Sequence, residues 1–270
     1  MLTGKVIVVT GSTRGIGRAI AEACVTRGAK VVVSSRSHDA VERIVRQFEA
    51  DGATVAGLPA DVSRPADLQR LFDLALERFG RIDGWVNNAG ISSGYRPLDE
   101  LSAQEIREIV DVNVTGTMLG CRLLVPYFAE HGGILVNLAG RGYRGDPTPY
   151  TAAYAATKAA VMSLTKSIAA ENRGRPVSIH AFVPGMVATD FYVDMQCSPR
   201  LESSRGNVQL ALDAMGVSLE DAGAGCANVL GQEPGRVTGK TYSMLKGARL
   251  ARGIAKMVWW RATGRLRPEA

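Results

Sequence analysis

The chain has 270 residues, of which 46% are hydrophobic and 21% charged, with a formal net charge of +6. This composition excludes a disordered or fibrous protein and allows a large buried core. The charge is uneven: residues 240–270 carry eight basic side chains against Glu269 alone, giving +7 there and −1 for the body before it, which argues against a nucleic-acid-binding domain.

Short β-branched runs alternate with amphipathic helical patterns. Strands are predicted at 5–10, 30–34, 54–58, 84–87, 134–138 and 177–182, with helices between them at 16–27, 40–50, 66–79, about 102–128 and about 151–172. Continuous apolar strands joined by crossover-length helices specify a parallel sheet buried on both faces. Right-handed crossovers make it a doubly wound α/β sheet, a Rossmann fold. From Asp190 to Gly206 the pattern weakens into a polar stretch of the length that lids and binding loops have, so a lid is placed at about 190–215. A helix at 218–230 and a strand at 240–244 complete a single domain of residues 1–246.

Cys24, Cys121, Cys197 and Cys226 lie far apart, and His38, His131 and His180 have no ligand spacing, so no metal site is expected. The first residues lack a signal-peptide pattern and no apolar run approaches about 18 residues. The expectation is a cytoplasmic protein with reduced thiols.

Directly after the first strand stands Thr10-Gly11-Ser12-Thr13-Arg14-Gly15-Ile16-Gly17, opening into a helix. Glycines there allow a sharp turn and bring backbone N–H groups up to a pyrophosphate at the positive end of the helix; a plain strand-to-helix turn would use glycine too. The second strand ends in Ser34-Ser35-Arg36-Ser37 with no carboxylate before Asp39. An NAD site usually offers an acid near this point for the ribose 2′-hydroxyl, whereas a 2′-phosphate needs a cation. Arg36, with Arg14 from the glycine loop, therefore favours NADP(H), unless Arg36 is only a solvated loop residue. Further along come Asn87-Asn88-Ala89-Gly90, Asn113 in a long helix, and Tyr154-x-x-x-Lys158, one helical turn apart. A nearby ammonium favours the phenolate and makes a tyrosine a usable acid–base group.

In this order, these pieces resemble the short-chain dehydrogenase/reductase family in its compact single-domain branch, over about residues 3–245. Asp61-Val62 after the third strand and Pro184-Gly185-x-Val187-x-Thr189 after the sixth add to the match. The resemblance implies a doubly wound domain that binds the dinucleotide through Gly11 to Gly17, with Asp61 and Val62 near the adenine and Asn88, Ala89 and Gly90 supporting it. Lys158 would bond the nicotinamide ribose, and Val187 and Thr189 would bracket the carboxamide. Tyr154 would protonate the carbonyl oxygen of a ketone as hydride arrives, and Asn113 would hold a water that relays protons to Lys158. Family members associate through the two long helices, here those of Asn113 and Tyr154, so a homodimer or homotetramer is implied.

One family feature is missing. Where a serine normally donates a hydrogen bond to the substrate oxygen, the text is Val136-Asn137-Leu138-Ala139-Gly140-Arg141-Gly142-Tyr143, which aligns Gly140 with that serine. Losing one such donor typically costs about 10²–10³ in rate. Arg141, Tyr143, Thr148, Tyr150 and Thr151 are candidate replacements, with Gly140, Arg141, Tyr143 and Tyr150 taken as the substrate-contacting set. The competing expectation is a non-redox protein on the same fold: a cofactor-binding regulator, or a dehydration or cyclisation enzyme.

Residues 247–270 read as a basic amphipathic C-terminal extension, with Leu250, Ile254, Met257 and Val258 on one side and Arg249, Arg252 and Lys256 opposite, flanked by Trp259 and Trp260, although Arg261 falls on the apolar side. Three roles fit: a helix lying on a membrane surface, a helix docked on a neighbouring subunit, or recognition of an acidic partner. No nucleic-acid contact is expected.

Overall fold

The computed structural model describes residues 1–189 and 196–264, with backbone alone at 202–208, 248–249 and 261. β-Branched side chains lose χ1 freedom in a helix and pack well on a pleated surface. The Val/Ile runs accordingly form β1 (Val6–Val9), β2 (Lys30–Ser35), β3 (Val55–Pro59), β4 (Gly84–Asn87), β5 (Gly133–Leu138) and β6 (Val177–Val183). Two short pieces, β7 (Met186–Val187) and β8 (Gly216–Val217), pair with each other, and β9 (Thr241–Ser243) closes the main sheet. Its order is β3-β2-β1-β4-β5-β6-β9, with every pairing parallel. The predicted doubly wound fold is thus present, with all seven strands of the sheet parallel.

The helices are α1 (Gly15–Thr26), α2 (His38–Ala50), α3 (Pro65–Phe79), α4 (Ala103–Val110), α5 (Gly116–His131), α6 (Ala152–Glu171), α7 (Arg205–Met215), α8 (Leu219–Leu230) and α9 (Gly247–Ala262). Alternate strand residues feed two cores. Ile7, Val9, Val31 and Val33 pack with Ile20 of α1, Ile44 of α2 and Cys226 of α8, while Val8, Val32 and Trp85 pack with Leu71 of α3 and Leu124 and Phe128 of α5. Serine caps fix three of the starts: Ser37, Ser102 and Ser218 each accept from a first-turn N–H, and Ser102 forms a capping box with Glu105.

Periodicity predicts one helix over about 102–128, but the structure breaks it. A π-helical turn, Asp111–Thr115, separates α4 from α5 and turns Asn113 fully inward, to 0% exposure. An 18-residue window within the composite segment Ala103–His131 is apolar enough by composition to cross a membrane, although no continuous apolar run of that length occurs in it. Its buried face explains the hydropathy, since Leu124 and Phe128 belong to the sheet core.

Part of the predicted lid, 190–195, lies outside the described residues. The rest is a 3₁₀ turn, Pro199–Ser204, followed by α7. Its base is tied down: Tyr95 N donates to Gln196 O, Ser198 N donates to Tyr95 O, and Ser198 Oγ donates to Glu100 Oε1 at 2.8 Å. Of the extension, 265–270 lies outside the described residues, and α9 packs back on α7.

Candidate active site

The sheet order reverses direction between β1 and β4, and in doubly wound sheets ligands bind beyond the carboxyl ends of the strands at that point. A cleft of about 640 Å³ opens there. Its floor is the glycine loop between β1 and α1. Gly11 and Gly15 have φ of +63° and +55°, a region that side chains rarely tolerate. Gly17 is required for a different reason: a Cβ there would stand 2.3 Å from Gly11 O and 2.4 Å from Asn88 Nδ2.

The loop is held by β4. Asn88 Nδ2 donates to Thr10 O and Gly11 O at 2.8 and 3.0 Å, while Thr10 Oγ1 accepts from the N–H groups of Asn88 and Ala89. Ser12 is buried; its hydroxyl donates to Val9 O and accepts from Ser34 N, so its side chain ties β1 to β2 and does not line the cleft. Thr13, Arg14, Gly15, Ile16 and Gly17 do line it, with Ser35, Arg36, Asp61, Val62, Asn88, Ala89 and Gly90. At the start of α1, Arg14 stands in the N-cap position without a side-chain cap, and the first turn holds no acidic residue. Its positive end therefore faces the cleft uncompensated.

Tyr154 and Lys158 meet the same cleft from α6. Lys158 Nζ donates to Leu138 O at 2.9 Å and lies 5.5 Å from the centroid of the Tyr154 ring. Only 5% of Lys158 is exposed, and burial pushes its ammonium down from 10.5 to about 8. Asn113 stands behind the cleft wall. Its Oδ1 accepts from Ile91 N at 2.8 Å, and its Nδ2 donates to Ile91 O and to Thr157 Oγ1. Thr157 in turn donates to Tyr154 O at 2.6 Å, joining the π turn to the helix that carries the tyrosine.

Pro184, Gly185 and Thr189 reach the cleft rim, where Thr189 covers Gly15. Val187 turns inward, packing with Val217 and Ala222. Gly140 does adjoin the tyrosine: an ideal Cβ on it would lie 2.6 Å from the Tyr154 hydroxyl. Of the five proposed replacement donors, Arg141 alone lines the cleft. Tyr143 instead packs with Met162 and Val183, its hydroxyl accepting from Arg144 Nε. Tyr150, at φ +63°, meets Tyr95 edge to face, and Thr151 Oγ1 bonds Thr148 O. The strand end curls after Gly140, as the Tyr143 N to Gly140 O bond records, and carries these side chains away.

A family model described as short chain dehydrogenase matches residues 5–197. This chain belongs to the short-chain dehydrogenase family. It is 34% identical over 256 residues to 3beta-hydroxysteroid dehydrogenase 1 of Eggerthella lenta, covering 94% of this chain and 97% of that one. Among solved structures, 3-ketoacyl-(acyl-carrier-protein) reductase from Brucella melitensis, complexed with NADH, superposes with a TM-score of 0.80 at 29% identity, covering 92% of this chain and 99% of that one. A substituted actinorhodin polyketide ketoreductase with NADPH gives 0.78 at 25%, covering 90% and 97%. The reaction class of this short-chain dehydrogenase is accordingly nicotinamide-dependent oxidation and reduction.

Two features of the dehydrogenase's site escape sequence reasoning. At the cleft wall, Arg96 pairs with Glu105 at 2.5 Å, and with Ser102 this holds the Glu105 carboxyl down at about 2. The Ser102-x-x-Glu105 spacing signals the capping box, but nothing local signals Arg96. Beneath the site, Trp85 Nε1 donates to Asn87 Oδ1, Asn87 Nδ2 to Asn137 Oδ1 and Asn137 Nδ2 to Thr165 Oγ1, a buried chain linking β4, β5 and α6. Such a satisfied network fixes register between the elements that border the cleft.

Proposed function

We propose that this short-chain dehydrogenase transfers hydride between NADP(H) and a ketone or secondary alcohol of a small organic substrate. The observation that carries the reading is the pairing of the half-buried Tyr154 phenol with the buried Lys158 ammonium at the cleft that also holds the glycine loop. When bound, the nicotinamide supplies hydride to the carbonyl carbon or accepts it from the carbinol. Tyr154 gives its hydroxyl proton to the carbonyl oxygen and takes one back in the oxidation. Lys158 stabilises the negative charge left on the phenol, and its bond to Leu138 O holds it in place for that task. Asn113 supports proton resupply; a side chain at Gly90 would stand 3.1 Å from Asn113 Oδ1 and 3.7 Å from Lys158 Nζ, so glycine keeps that path clear. A ketone panel of steroid, ketoacyl and polyketide type covers the substrate classes named for the relatives.

The cleft fits the dinucleotide on its own features: a glycine cradle that a Cβ at position 17 would fill, the uncapped start of α1, and two exposed arginines lining it, Arg14 in the glycine loop and Arg36 just past a β2 that ends without an acid. Gly11 to Gly17 would hold the pyrophosphate, Asp61 and Val62 would sit by the adenine, and Arg14 and Arg36 would take the 2′-phosphate. Arg36→Ala should therefore weaken NADPH about tenfold or more and leave NADH within about twofold. Titration calorimetry with both dinucleotides reads this directly, and an equal loss for both would remove the phosphate assignment.

Because burial lowers Lys158 to about 8, its positive charge is present below that pH and lost as pH rises through it. The pH profile of kcat/KM, which reports the free enzyme, should fall on its alkaline side with a midpoint near 8. In Lys158→Arg, which stays charged, that limb should move upward; an unmoved limb would assign it to another group.

The second reading, a non-redox protein on this fold, rests on Gly140, which brings no hydroxyl to the phenol. A homodimer or homotetramer through α4, α5 and α6 belongs to the proposal, supported by Val110 and Met118, which are 41% and 44% exposed on α4 and α5.

A further inference from the structure

Helix α9 is fastened to the body by its narrow, partly basic edge. Its Gly253 lies against α7, where a Cβ would stand 2.4 Å from Met215 Cγ. Lys256 Nζ donates to Asp213 O at 2.9 Å and lies 4.6 Å over the ring of Trp260, which is 5% exposed. At about 100° per residue, Gly253, Lys256 and Trp260 fall on one edge. The opposite edge is made of Ala251, Ile254, Ala255, Val258 and Ala262, bordered by Leu250 and Trp259. By register Arg261 falls between Leu250 and Ile254 at the margin of this outward face, which is otherwise uncharged. Leu250, Ile254, Val258 and Trp259 are 38%, 51%, 62% and 54% exposed, four of the nine large hydrophobic side chains exposed among the described residues.

An amphipathic helix normally buries its apolar side against its own domain; here that side looks outward, so it needs another occupant. The charge decides which. Residues 240–270 carry +7, and Lys246, Arg252 and Lys256 are exposed. A second copy meeting this face would bring two such segments together, at a cost in repulsion. An anionic bilayer takes the apolar face and attracts the cations at its margins, Arg252 beside Trp259 and, by register, Arg261 beside Ile254, while Lys256 is held on the body side; a tryptophan at the border suits the headgroup level.

We propose that α9 docks on an anionic lipid surface, lying in the headgroup plane with Ile254 and Val258 in the acyl boundary. Because α9 packs on α7 and the 3₁₀ turn before α7 begins just after Gln196, which lines the cleft, docking sets α7 beside the bilayer. The proposal stands apart from the cofactor reading and would survive its failure.

The test is co-sedimentation of the full chain with vesicles of phosphatidylcholine alone and of phosphatidylcholine with phosphatidylglycerol in equal parts. The expected result is recovery with the anionic vesicles only, reversed by salt. The double variant Ile254→Glu/Val258→Glu should lose at least about tenfold in bound fraction with unchanged melting temperature and NADPH binding. No recovery on anionic vesicles, equal recovery on both, or a variant that pellets like the parent overturns the proposal. A drop in the variant's light-scattering mass without any vesicle binding assigns the face to a second copy instead.

Discussion

Replacing Tyr154 by phenylalanine should lower kcat/KM by about 10²–10⁴, or about 3–5 kcal/mol of transition-state stabilisation, and leave NADPH affinity within about twofold. The variant keeps the ring and so keeps the packing of α6; it removes only the atom that exchanges a proton with substrate. The upper end of the range is expected because position 140 offers no hydroxyl as a fallback. Of the side chains considered as replacements for a hydroxyl at position 140, Arg141 alone lines the cleft. Lys158 keeps its bond to Leu138 O in the variant, so fluorescence titration of NADPH distinguishes a lost acid from a damaged cofactor site. Full turnover in Tyr154→Phe would mean that the proton comes from elsewhere.

The second large effect is expected from one methyl group. In Gly17→Ala the new Cβ meets Gly11 O at 2.3 Å and Asn88 Nδ2 at 2.4 Å, and neither can retreat easily. Gly11 is itself held at φ +63° with Ala89 Cα 2.9 Å from where its own Cβ would be, and Asn88 clamps the loop through Thr10 O and Gly11 O. The overpacking should cost about 1–3 kcal/mol of stability and displace the backbone N–H groups proposed to hold the pyrophosphate. NADPH affinity should then fall by at least about a hundredfold. Gly52→Ala is the matched control. It has φ +80° but nothing within 4 Å of an added Cβ, so it should cost about 1–3 kcal/mol in backbone strain and leave cofactor binding alone. Thermal melts and calorimetry on the pair separate steric damage at the cradle from a general glycine effect.

The parts of this enzyme legible in its sequence are those governed by local rules. Periodicity located β1 to β6 within a residue or two, and the glycine loop, Asn88 and the Tyr154–Lys158 spacing all came to one cleft. What was not legible depends on how the chain bends between elements. Tyr143 and Tyr150 were expected near the substrate because they follow the strand end closely, yet a turn at Gly140 and a left-handed Tyr150 aim them elsewhere. The π turn at Asp111–Thr115 adds a residue to one helical turn, invisible to a 3.6-residue pattern, and it carries the inward-facing Asn113. Ser12 and Val187 belong to motif text that matches a binding loop, but their side chains serve β2 and β8. Arg96 and Glu105 meet across nine residues of loop and helix, and the Asn87–Asn137–Thr165 chain joins three elements far apart in sequence. For α9, the helical wheel puts Arg249, Arg252 and Lys256 apart from Leu250, Ile254 and Val258, with Arg261 an exception, but cannot say which side is fastened to the body.

The most direct measurement is the transfer of deuterium from NADPH labelled at the reactive nicotinamide carbon to the steroid, ketoacyl and polyketide ketones, followed by mass spectrometry of the product and by loss of the reduced-nicotinamide absorbance in a single turnover. The predicted result is one deuterium on the new carbinol carbon of at least one ketone, with both signals suppressed together in Tyr154→Phe. Tight NADPH binding with no label transferred to any of them, at full enzyme saturation, would contradict the account.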